Sequence, residues 1–253
     1  GVKAGLAFFF CLTPIFIGFI LPIIELIIWA LDARVTLFNE KFIMRSFNTI
    51  SLGILTGVLC ALLAFIIDFS IRYTKNNFLG KLSSFLSIGY AVPGLILAVG
   101  ITRFFVYADQ NIFSNLDFVI TGSLLGLVLA YIIKSYALAN SSIESGYERI
   151  SNSIDNSARL LGSKGSILLG KIHFPLMKTS FITAILLVIS EVVKELPATL
   201  ILRPFNFDTL AVVTYTYAAE ERMYQAAMPS LAIVLIGIIP LIFLSKMIRS
   251  SRL

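Results

Sequence analysis

The chain has 253 residues, of which 58% are hydrophobic and 13% are charged, and its formal net charge is +6 at pH 7. Because charged residues make up about a quarter of an ordinary soluble domain, this composition excludes a soluble globule and indicates an integral membrane protein. Lysines and arginines that flank membrane spans account for the positive charge, so it requires no nucleic-acid partner. Two cysteines and one histidine are too few for a disulfide scaffold or a Cys/His metal centre.

Six apolar blocks are long enough to cross a bilayer as helices, which takes about 20 residues each. They cover approximately residues 5–30, 47–68, 84–106, 118–139, 176–201 and 228–247. None shows the alternation of a membrane β-barrel, so we predict an all-α membrane protein with six transmembrane helices. Residues 1–253 are expected to form one membrane domain. Since the sequence begins at Gly1 without methionine and enters the membrane almost at once, we expect it to be part of a longer polypeptide, with a processed N-terminus as the alternative.

Lysine and arginine are unequally divided between the two sides of the predicted spans. Thirteen fall on the side that holds both termini and the segment between spans four and five, six fall on the other side, and Lys194 lies inside span five. The larger group includes Lys134, near the end of span four. The positive-inside rule therefore predicts that both termini and the segment between spans four and five are cytoplasmic.

Two spans carry residues that an ordinary lipid-facing helix avoids. Glu25 is costly in lipid, so it is expected to face protein or water, either on a substrate path or as a structural charge near the outer interface. In the third block, Pro93 removes a helical hydrogen bond, and Gly89 and Gly94 loosen the backbone. We therefore predict a bend in this span, which serves either as a gate or only as a kink.

A polar segment, residues 156–175 with the sequence NSARLLGSKGSILLGKIHFP, separates spans four and five. An apolar set recurs at helical spacing around its start and consists of Ile150, Ile154, Ala158 and Leu161. The opposite side carries Asp155, Asn156 and Arg159, so we predict an amphipathic surface helix.

This helix is expected to end at Gly162, which can take positive φ. Ser163 is expected to cap a second short helix, and Pro175 to open the next span. Two short helices that project into water at an angle would form a docking site through which another protein could move the membrane helices. His173, the single histidine, is expected to be a polar residue at the boundary between loop and membrane rather than a ligand.

The spacing of this segment resembles the EAA loop of binding-protein-dependent ABC importers. In that family Glu-Ala-Ala, a glycine four residues after the second alanine, and Ile-x-Leu-Pro mark the cytoplasmic loop that docks on the ATPase subunit. The matching residues here are Asn156, Ser157, Ala158, Gly162, Ile172, Phe174 and Pro175. Asn156 replaces the glutamate of the family, with Asp155 one position early, and Phe174 replaces the leucine. The resemblance implies that residues 142–175 form a cytoplasmic coupling loop whose ATPase-coupling residues are Asp155, Asn156, Ser157, Ala158, Arg159, Gly162, Ile172 and Pro175.

The same loop contains an apparent phosphate-binding motif that we reject. Gly165, Gly170 and Lys171 fit G-x-x-x-x-G-K. However, Ile172 stands where serine or threonine would hold magnesium, and no strand precedes the motif. The chain itself is therefore expected not to hydrolyse ATP and not to be an enzyme.

The fifth block ends in a charged stretch, residues 191–211 with the sequence EVVKELPATLILRPFNFDTLA. Glu191, Lys194 and Glu195 are three and four residues apart, so we expect them on one helical face. Since each charge costs about 2.5 to 3.5 kcal/mol at the bilayer centre, this face is expected to meet water or protein. It either lines a translocation path or contributes a glutamate–lysine pair that locks two helices together. Pro197 is expected to break the helix.

This stretch resembles the second half of ferric-iron ABC importer permeases, whose pattern is KELPATL, then LRPF, Gly, F and TLA. The matching positions are 194–200, 202–205, 207 and 209–211. Asn206 stands at the glycine of the pattern and, because asparagine tolerates left-handed φ, is expected to preserve the turn. Residues 205–225 are expected to form a solvated connector, and the alternative for them is a contact with a partner outside the membrane. With the EAA-like loop and the six spans, the resemblance covers nearly the whole chain.

The resemblance implies one half of the membrane channel of an ATP-driven importer in the bacterial inner membrane. An extracytoplasmic iron-binding protein would deliver Fe(III), a second permease half would complete the path, and two ATPase subunits would use ATP and Mg²⁺. This chain itself would bind no cofactor. Because hard Fe(III) prefers oxygen ligands, Glu191 and Glu195 are candidates for transient contacts, and Glu25, Lys194 and Pro197 are further candidates for the path.

Three alternatives compete with this hypothesis. Related permeases use similar scaffolds for thiamine, polyamines and oxyanions such as sulfate or molybdate. An ion-coupled secondary transporter would instead use Glu191, Lys194 and Glu195 as a relay, and the polar loop would only connect two spans. A membrane assembly protein would not explain charges on one buried face.

Overall fold

The computed structural model describes residues 2–33, 39–114 and 119–250. Within these ranges the chain is helical and contains no β-strand. The α-helices in chain order are α1 (Val2–Ile15), α2 (Leu21–Asp32), α3 (Glu40–Thr74), α4 (Asn77–Ser87), α5 (Gly94–Asn111), α6 (Leu124–Glu148), α7 (Asn152–Leu160), α8 (Gly165–Ile167), α9 (Phe174–Leu176), α10 (Lys178–Val192), α11 (Pro197–Leu202), α12 (Leu210–Ala219) and α13 (Met223–Ser250). Wider π-helical segments at Phe16–Ile20 and Leu168–His173 join α1 to α2 and α8 to α9.

Four helical segments of the described chain are continuous, apolar and long enough to cross a membrane. They are Gly5–Asp32, Glu40–Thr74, Leu124–Glu148 and Met223–Lys246. Two further candidates are sharply bent helix pairs, Asn77–Ala91 with Gly94–Asn111 at 113° and Gly165–Leu176 with Lys178–Val192 at 74°. The predicted all-α membrane protein is confirmed, and the spans number six if each bent pair crosses the membrane once.

The helices α3, α6 and α10 form a central bundle, in which each packs against the other two. Small residues line these contacts, and Cys60, Ala64 and Ala130 are fully buried. A Cβ added to Gly57 of α3 would lie 3.0 Å from the carbonyl oxygen of Ile185 in α10. Because lipid provides no hydrophobic drive between helices, close van der Waals contact between small residues stabilises such a bundle.

The predicted bend in the third apolar block is present, and the helices on its two sides differ in direction by 113°. After α4 the chain turns through Ile88–Ala91, and Pro93 is the N-cap residue of α5. A Cβ on Gly89 would lie only 2.4 Å from the carbonyl oxygen of Ile133 in α6. Glycine therefore lets the turn pack directly on the backbone of the central bundle, which fixes the position of the bend.

The fourth and fifth apolar blocks differ from the prediction at their ends. α6 begins at Leu124 rather than near residue 118 and continues to Glu148. It continues because Ile143 and Tyr147 keep one of its faces buried in the bundle. α10 ends at Val192, and Pro197 occupies the first turn of the separate helix α11. The predicted break at Pro197 is confirmed, since proline lacks an N–H and favours the start of a helix.

The prediction of a solvated connector over residues 205–225 is wrong for the central part of this stretch, whereas residues 205–206 and 219–224 are exposed. This stretch contains α12, which packs against α3 and α13 and buries Leu210 and Val212. The hydroxyl oxygen of Thr49 in α3 accepts a hydrogen bond of 2.9 Å from the amide of Leu210. Asn206 has a φ of 60°, so the predicted left-handed turn is present and directs the chain toward α12.

Candidate coupling loop and buried charge cluster

The connection between α6 and α10 contains the short helices that the sequence predicts. α7 ends at Leu160, and Gly162 has a φ of +79°. The amide of Gly162 donates to the Arg159 carbonyl, and the amide of Ser163 donates to the Ala158 carbonyl. A left-handed glycine thus satisfies the last carbonyls of α7. A Cβ at Gly162 would meet no atom within 4 Å, so the backbone angle rather than a lack of space requires glycine.

The later part of this connection differs from the prediction in two places. Lys164, not Ser163, is the N-cap residue of α8, and no side chain caps the helix. Pro175 lies in the first turn of α9, and the chain bends by 74° before α10 begins at Lys178. Pro175 therefore precedes the bend and does not open the long helix.

The buried face of α7 matches the predicted apolar face only in part, since Ile150 and Ala158 are buried but Ile154 and Leu161 are exposed. Asp155 and Ala158 are buried, whereas Leu160 and Leu161 are 88% and 87% exposed. The expectation that Asp155 lies on the water side is therefore wrong. The reason lies outside the loop, because Arg72 of α3 provides a partner for the Asp155 carboxylate.

Arg72, in the last turn of α3, binds both α7 and the end of α6. Its Nε donates to Asp155 Oδ2 at 2.6 Å. Its two terminal nitrogens donate to the carbonyl oxygens of Tyr147 and Ile150, at 2.9 and 2.7 Å. Arginine suits this position because its planar guanidinium presents several donors in a fixed geometry. One side chain of the central bundle thus fixes the start of the loop.

His173 connects the other oxygen of Asp155 to the end of the loop. Its Nε2 lies 2.9 Å from Asp155 Oδ1, and the rings of Phe69 and Tyr147 each lie 5.4 Å from the fully buried imidazole. Nδ1 has no hydrogen-bond partner among the described residues. The neutral ring with its proton on Nε2 therefore fits the site, since a proton on Nδ1 would be buried without an acceptor. His173 is a structural anchor that sequence reasoning missed.

Tyr73, which follows Arg72, supports both short helices. The Arg159 guanidinium lies 4.5 Å from the centroid of the Tyr73 ring and donates to the Tyr73 carbonyl at 3.2 Å. A Cβ on Gly165 would lie 3.2 Å from the same ring. The last turn of α3 therefore forms the base on which α7 and α8 lie.

The predicted coupling residues divide between the surface and the interior of the loop. The exposed ones are Asn156, Ser157, Arg159, Gly162 and Pro175, and those that are buried or partly buried are Asp155, Ala158 and Ile172. Sequence reasoning placed Leu161 on the inward face and did not single out Leu160. These two adjacent leucines are the most exposed apolar side chains of the loop and form its apolar tip, a feature typical of a protein interaction site.

The three charges near the end of span five do not share one face. Glu191 lies in α10 and pairs with Lys194 at 3.0 Å, and the Lys194 side chain is 62% exposed. Glu195 points toward α6 instead, where its Oε2 lies 2.7 Å from Lys134 Nζ. The prediction of a single face is wrong because α10 ends at Val192, so helical spacing no longer applies beyond it.

Lys134 lies in the middle of α6 and is largely buried, so its assignment to the loop side by charge counting is wrong. Its pair with Glu195 joins α6 to the junction between α10 and α11. The start of α5 lies against the same pair, because a Cβ on Gly94 would be 2.7 Å from Glu195 Oε1 and 3.4 Å from Lys134 Nζ. One of the two predicted alternatives, a glutamate–lysine pair between helices, is therefore present.

Hydroxyl groups extend this cluster along α11. The amide of Ala198 donates to Glu195 Oε1 at 3.4 Å, and the Thr199 hydroxyl donates to the Glu195 carbonyl at 2.7 Å. The hydroxyl oxygens of Tyr131 and Thr199 are 2.6 Å apart. These contacts hold the chain after Pro197 against α6.

Glu25 is not part of this cluster. It is exposed on α2, and no ion pair or hydrogen bond joins it to another described residue. Across residues 2–33, 39–114 and 119–250, no group of three or more His, Cys, Asp and Glu residues could hold a metal ion. The two proposed iron contacts, Glu191 and Glu195, are each paired with a lysine.

No protein-family model matches the chain. Among curated proteins, it is 25% identical over 258 residues to the Fe(3+)-transport system permease protein FbpB 2 of Haemophilus influenzae, which covers 96% of this chain and 47% of that protein. It is 27% identical over 172 residues to PhnV of Salmonella typhimurium, described as a permease protein of a 2-aminoethylphosphonate transport system. This match covers 68% of this chain and 62% of PhnV. The chain spans about half the length of the first relative and less than two thirds of the second.

Solved structures of ABC transporters share the fold. A chain of the bacterial alginate ABC transporter, solved with an alginate pentasaccharide-bound periplasmic protein, has a TM-score of 0.70 at 18% identity and covers 99% of this chain and 96% of its own. A chain of the inward-facing MetNI methionine ABC transporter has a TM-score of 0.61 at 12% identity. The match covers 83% of this chain and 99% of the MetNI chain. The predicted resemblance to ABC importer permeases is confirmed.

Proposed function

We propose that this chain is the membrane-spanning permease of an ATP-driven importer and that the loop between α6 and α10 receives its ATPase subunit. The anchoring of α7 carries this proposal. Asp155 faces inward to Arg72 and His173, while Leu160 and Leu161 face outward. A helix that is fixed at its base and apolar at its exposed tip is suited to dock on another protein. The sequence match to FbpB 2 and the shared fold support the same assignment.

A push on α7 would reach the membrane helices through this anchor. Arg72 belongs to α3, and His173 ends the π-helical segment that leads through α9 to α10, so the Asp155 carboxylate links α3 to the chain that enters α10. Packed helices move between discrete arrangements because their interiors do not deform continuously. ATP binding in the partner therefore needs only to stabilise one packing of α3, α6 and α10 over another.

The proposed topology places the loop and both termini in the cytoplasm, with the chain in the bacterial inner membrane. The excess of lysine and arginine on that side supports this orientation. Two ATPase subunits would use ATP and Mg²⁺, while this chain would bind no cofactor itself. A second permease half, fused or separate, and an extracytoplasmic binding protein would complete the importer.

Fe(III) is the proposed substrate, supported by the match to FbpB 2 over 96% of this chain. Glu191, Glu195 and Pro197 remain candidates for the path. Because Lys134 neutralises Glu195, Fe(III) would reach that carboxylate only when the pair opens. Glu25 remains a candidate for the path only because its side chain is exposed. Phosphonate, alginate and methionine, named for other similar transporters, are the competing substrates, together with thiamine, polyamines and oxyanions.

The buried pair of Lys134 and Glu195 is the observation that favours an ion-coupled secondary transporter instead. Such a transporter would use Glu191, Lys194 and Glu195 as a relay. The geometry supports this alternative less well, because Lys194 is exposed and pairs with Glu191 rather than with Glu195.

Photo-cross-linking from the tip of α7, formed by Leu160 and Leu161, tests the proposal by identifying the protein that contacts it. Leu160 is replaced by the photo-reactive residue p-benzoylphenylalanine, and intact membranes are irradiated. We expect a cross-linked product that contains a nucleotide-hydrolysing protein. Leu125 is a matched control, because it is also apolar and exposed but lies at the opposite end of α6. Capture of no such protein from position 160, or equal capture from both positions, would refute the proposal.

A further inference from the structure

An apolar groove on the side of the central bundle has no role in the proposed function. It lies between α3, α6 and the segment that runs from α4 through the bend before α5, and its volume is about 350 Å³. Every residue that lines it is apolar or glycine, apart from the hydroxyl group of Tyr136. That hydroxyl is buried and hydrogen-bonded to Ser83 and Asn140, so the groove suits only an apolar occupant.

The groove lies at the depth of the bilayer hydrocarbon. α4 follows the end of α3 and runs back along α6, where Ser83 Oγ lies 3.1 Å from the hydroxyl oxygen of Tyr136 and 3.1 Å from Asn140 Oδ1. Further along the chain, a Cβ on Gly89 would lie 2.4 Å from the carbonyl oxygen of Ile133. All of the lining residues fall inside the second, third and fourth predicted spans, in the halves of those spans that are nearer to the coupling loop.

The groove opens sideways, because Leu63, Phe85 and Ile88 on its walls are exposed. Water does not suit it, since the bilayer core contains none and the walls offer no polar partner. A partner helix does not suit it either. One helical turn is about 10 Å wide and about 5.4 Å high, so it occupies more than the volume of the groove. A lipid acyl chain is narrow, flexible and apolar, and it therefore fits.

The end of the groove nearest the coupling loop carries positive charge. Lys81 precedes Phe85 by about one turn of α4, and its exposed side chain forms no ion pair with another described residue. Lys75, also exposed, belongs to the connection between α3 and α4. No acidic residue lines the groove, and none occurs between Asp68 and Asp109 in the sequence. Lysines at the end of a membrane span reach the headgroups and attract anionic phospholipids.

We propose that this groove binds one acyl chain of an anionic phospholipid whose headgroup lies at Lys81. Lipid provides no hydrophobic drive between apolar surfaces inside the bilayer, so the headgroup decides which lipid occupies the groove. The groove adjoins the bend at Gly89, and the bound chain would fill the space between this bend and α3. Under the proposed topology the lipid belongs to the cytoplasmic leaflet, but its binding requires no ATPase.

The first experiment measures lipid binding to the purified, delipidated permease by native mass spectrometry. Palmitoyl-oleoyl-phosphatidylglycerol and the zwitterionic phosphatidylcholine with the same chains are titrated separately. We expect the wild type to bind one phosphatidylglycerol about five-fold more tightly than phosphatidylcholine. Lys81→Gln should remove this preference without changing the affinity for phosphatidylcholine. Leu63→Trp should weaken the binding of both lipids about ten-fold, because the indole ring fills the groove.

Two matched variants control for folding and for general attraction between charges. Leu62, like Leu63, is an exposed leucine of α3, but it does not line the groove. Lys178 is an exposed lysine at the start of α10. Leu62→Trp and Lys178→Gln should bind phosphatidylglycerol as the wild type does. Equal affinities of the wild type for the two lipids, or equal binding of phosphatidylglycerol by Leu63→Trp and Leu62→Trp, would overturn the proposal.

The second experiment asks what occupies the groove in the assembled transporter in its membrane. Phe85 is replaced by p-benzoylphenylalanine, and the lipids that it labels on irradiation are identified. We expect phosphatidylglycerol to be labelled above its share of the bilayer. Phe47 is the control, because it is 69% exposed like Phe85 but lies near the other end of α3, and it should label lipids in proportion to their abundance. Labelling of a polypeptide from position 85, such as a second permease half, or the same lipid pattern from both positions would contradict the proposal. Neither result depends on ATP-driven transport, so the proposed function is tested separately.

Discussion

Gly94 and Glu195 are in direct contact, so that a Cβ on Gly94 would lie 2.7 Å from Glu195 Oε1. This contact joins the turn before α5, in the third predicted span, to the end of α10, in the fifth. Lys134 of α6 completes the arrangement through its 2.7 Å bond to Glu195. The buried charge of the fifth block is thus held by the helices of the third and fourth.

Gly94→Ala is expected to displace the Glu195 carboxylate from Lys134. The new methyl group would also lie 3.4 Å from the amide of Ala198, so little space remains on either side. Overpacking of this kind costs about 1–3 kcal/mol, which we expect to see as a lower melting temperature. Gly100→Ala in the same helix is the control, because its Cβ would meet no atom within 4 Å. Equal losses for both variants would contradict the predicted contact.

Lys134→Met is expected to destabilise the protein by about 3–5 kcal/mol, because it leaves Glu195 buried without its partner. The double variant Lys134→Met/Glu195→Met should lose less stability than the sum of the two single changes, since neither charge then remains unpaired. Melting temperatures of all four proteins in the same lipid measure this coupling. Additive losses would show that the two side chains do not interact.

Arg72→Lys is expected to uncouple the loop while the membrane helices stay folded. Lysine keeps the positive charge but cannot bind Asp155 and two carbonyls in the same fixed geometry. Each hydrogen bond to a charged group contributes about 1.5–3 kcal/mol, so the loss of one should weaken the attachment of α7 about ten-fold or more, and we expect slower ATP-driven transport.

Arg149→Lys is the matched control for this change, because Arg149 is exposed and follows α6 directly. It should transport at the wild-type rate. If Arg72→Lys transports as well as Arg149→Lys does, the Arg72 anchor has no part in coupling.

Leu160→Asp/Leu161→Asp is expected to weaken association with the ATPase without unfolding the permease. Both side chains are almost fully exposed, so the free protein loses no packing. Burial of a leucine contributes about 1.5–3 kcal/mol, so two lost contacts should raise the dissociation constant at least about 100-fold. Ser166→Asp, an exposed position on α8, adds one charge nearby and should have little effect. The dissociation constant is measured by passing purified ATPase over surface-immobilised permease. An unchanged dissociation constant for the double variant would refute a role for this tip.

The sequence predicted those features that depend on local chemistry. The length of the apolar blocks predicted the membrane helices, Gly162 the left-handed end of α7, and Pro93 and Pro197 the two helix breaks. Each of these follows from the properties of one residue or of one short run. Asn206, with its φ of 60°, is a further example.

The sequence could not predict which charges meet, because the partners lie far apart in the chain. Lys134 and Glu195 are 61 residues apart, and Arg72 and Asp155 are 83 apart. Helical spacing placed Asp155 on the outer face of α7, but Arg72 and the buried His173 hold its carboxylate on the inner face. The one signal that could have indicated the anchor is that His173 is the single histidine of the chain and lies at the predicted boundary between loop and membrane.

ATP-driven uptake tests the central claim most directly. Permease, ATPase and binding protein are reconstituted in vesicles, and entry of Fe(III) is followed with ATP supplied to the side that holds the ATPase. We predict uptake that requires ATP, persists when ion gradients are collapsed, and disappears in Leu160→Asp/Leu161→Asp. Uptake that proceeds without ATP, stops when the proton gradient is collapsed, and is unchanged in this variant would contradict the account.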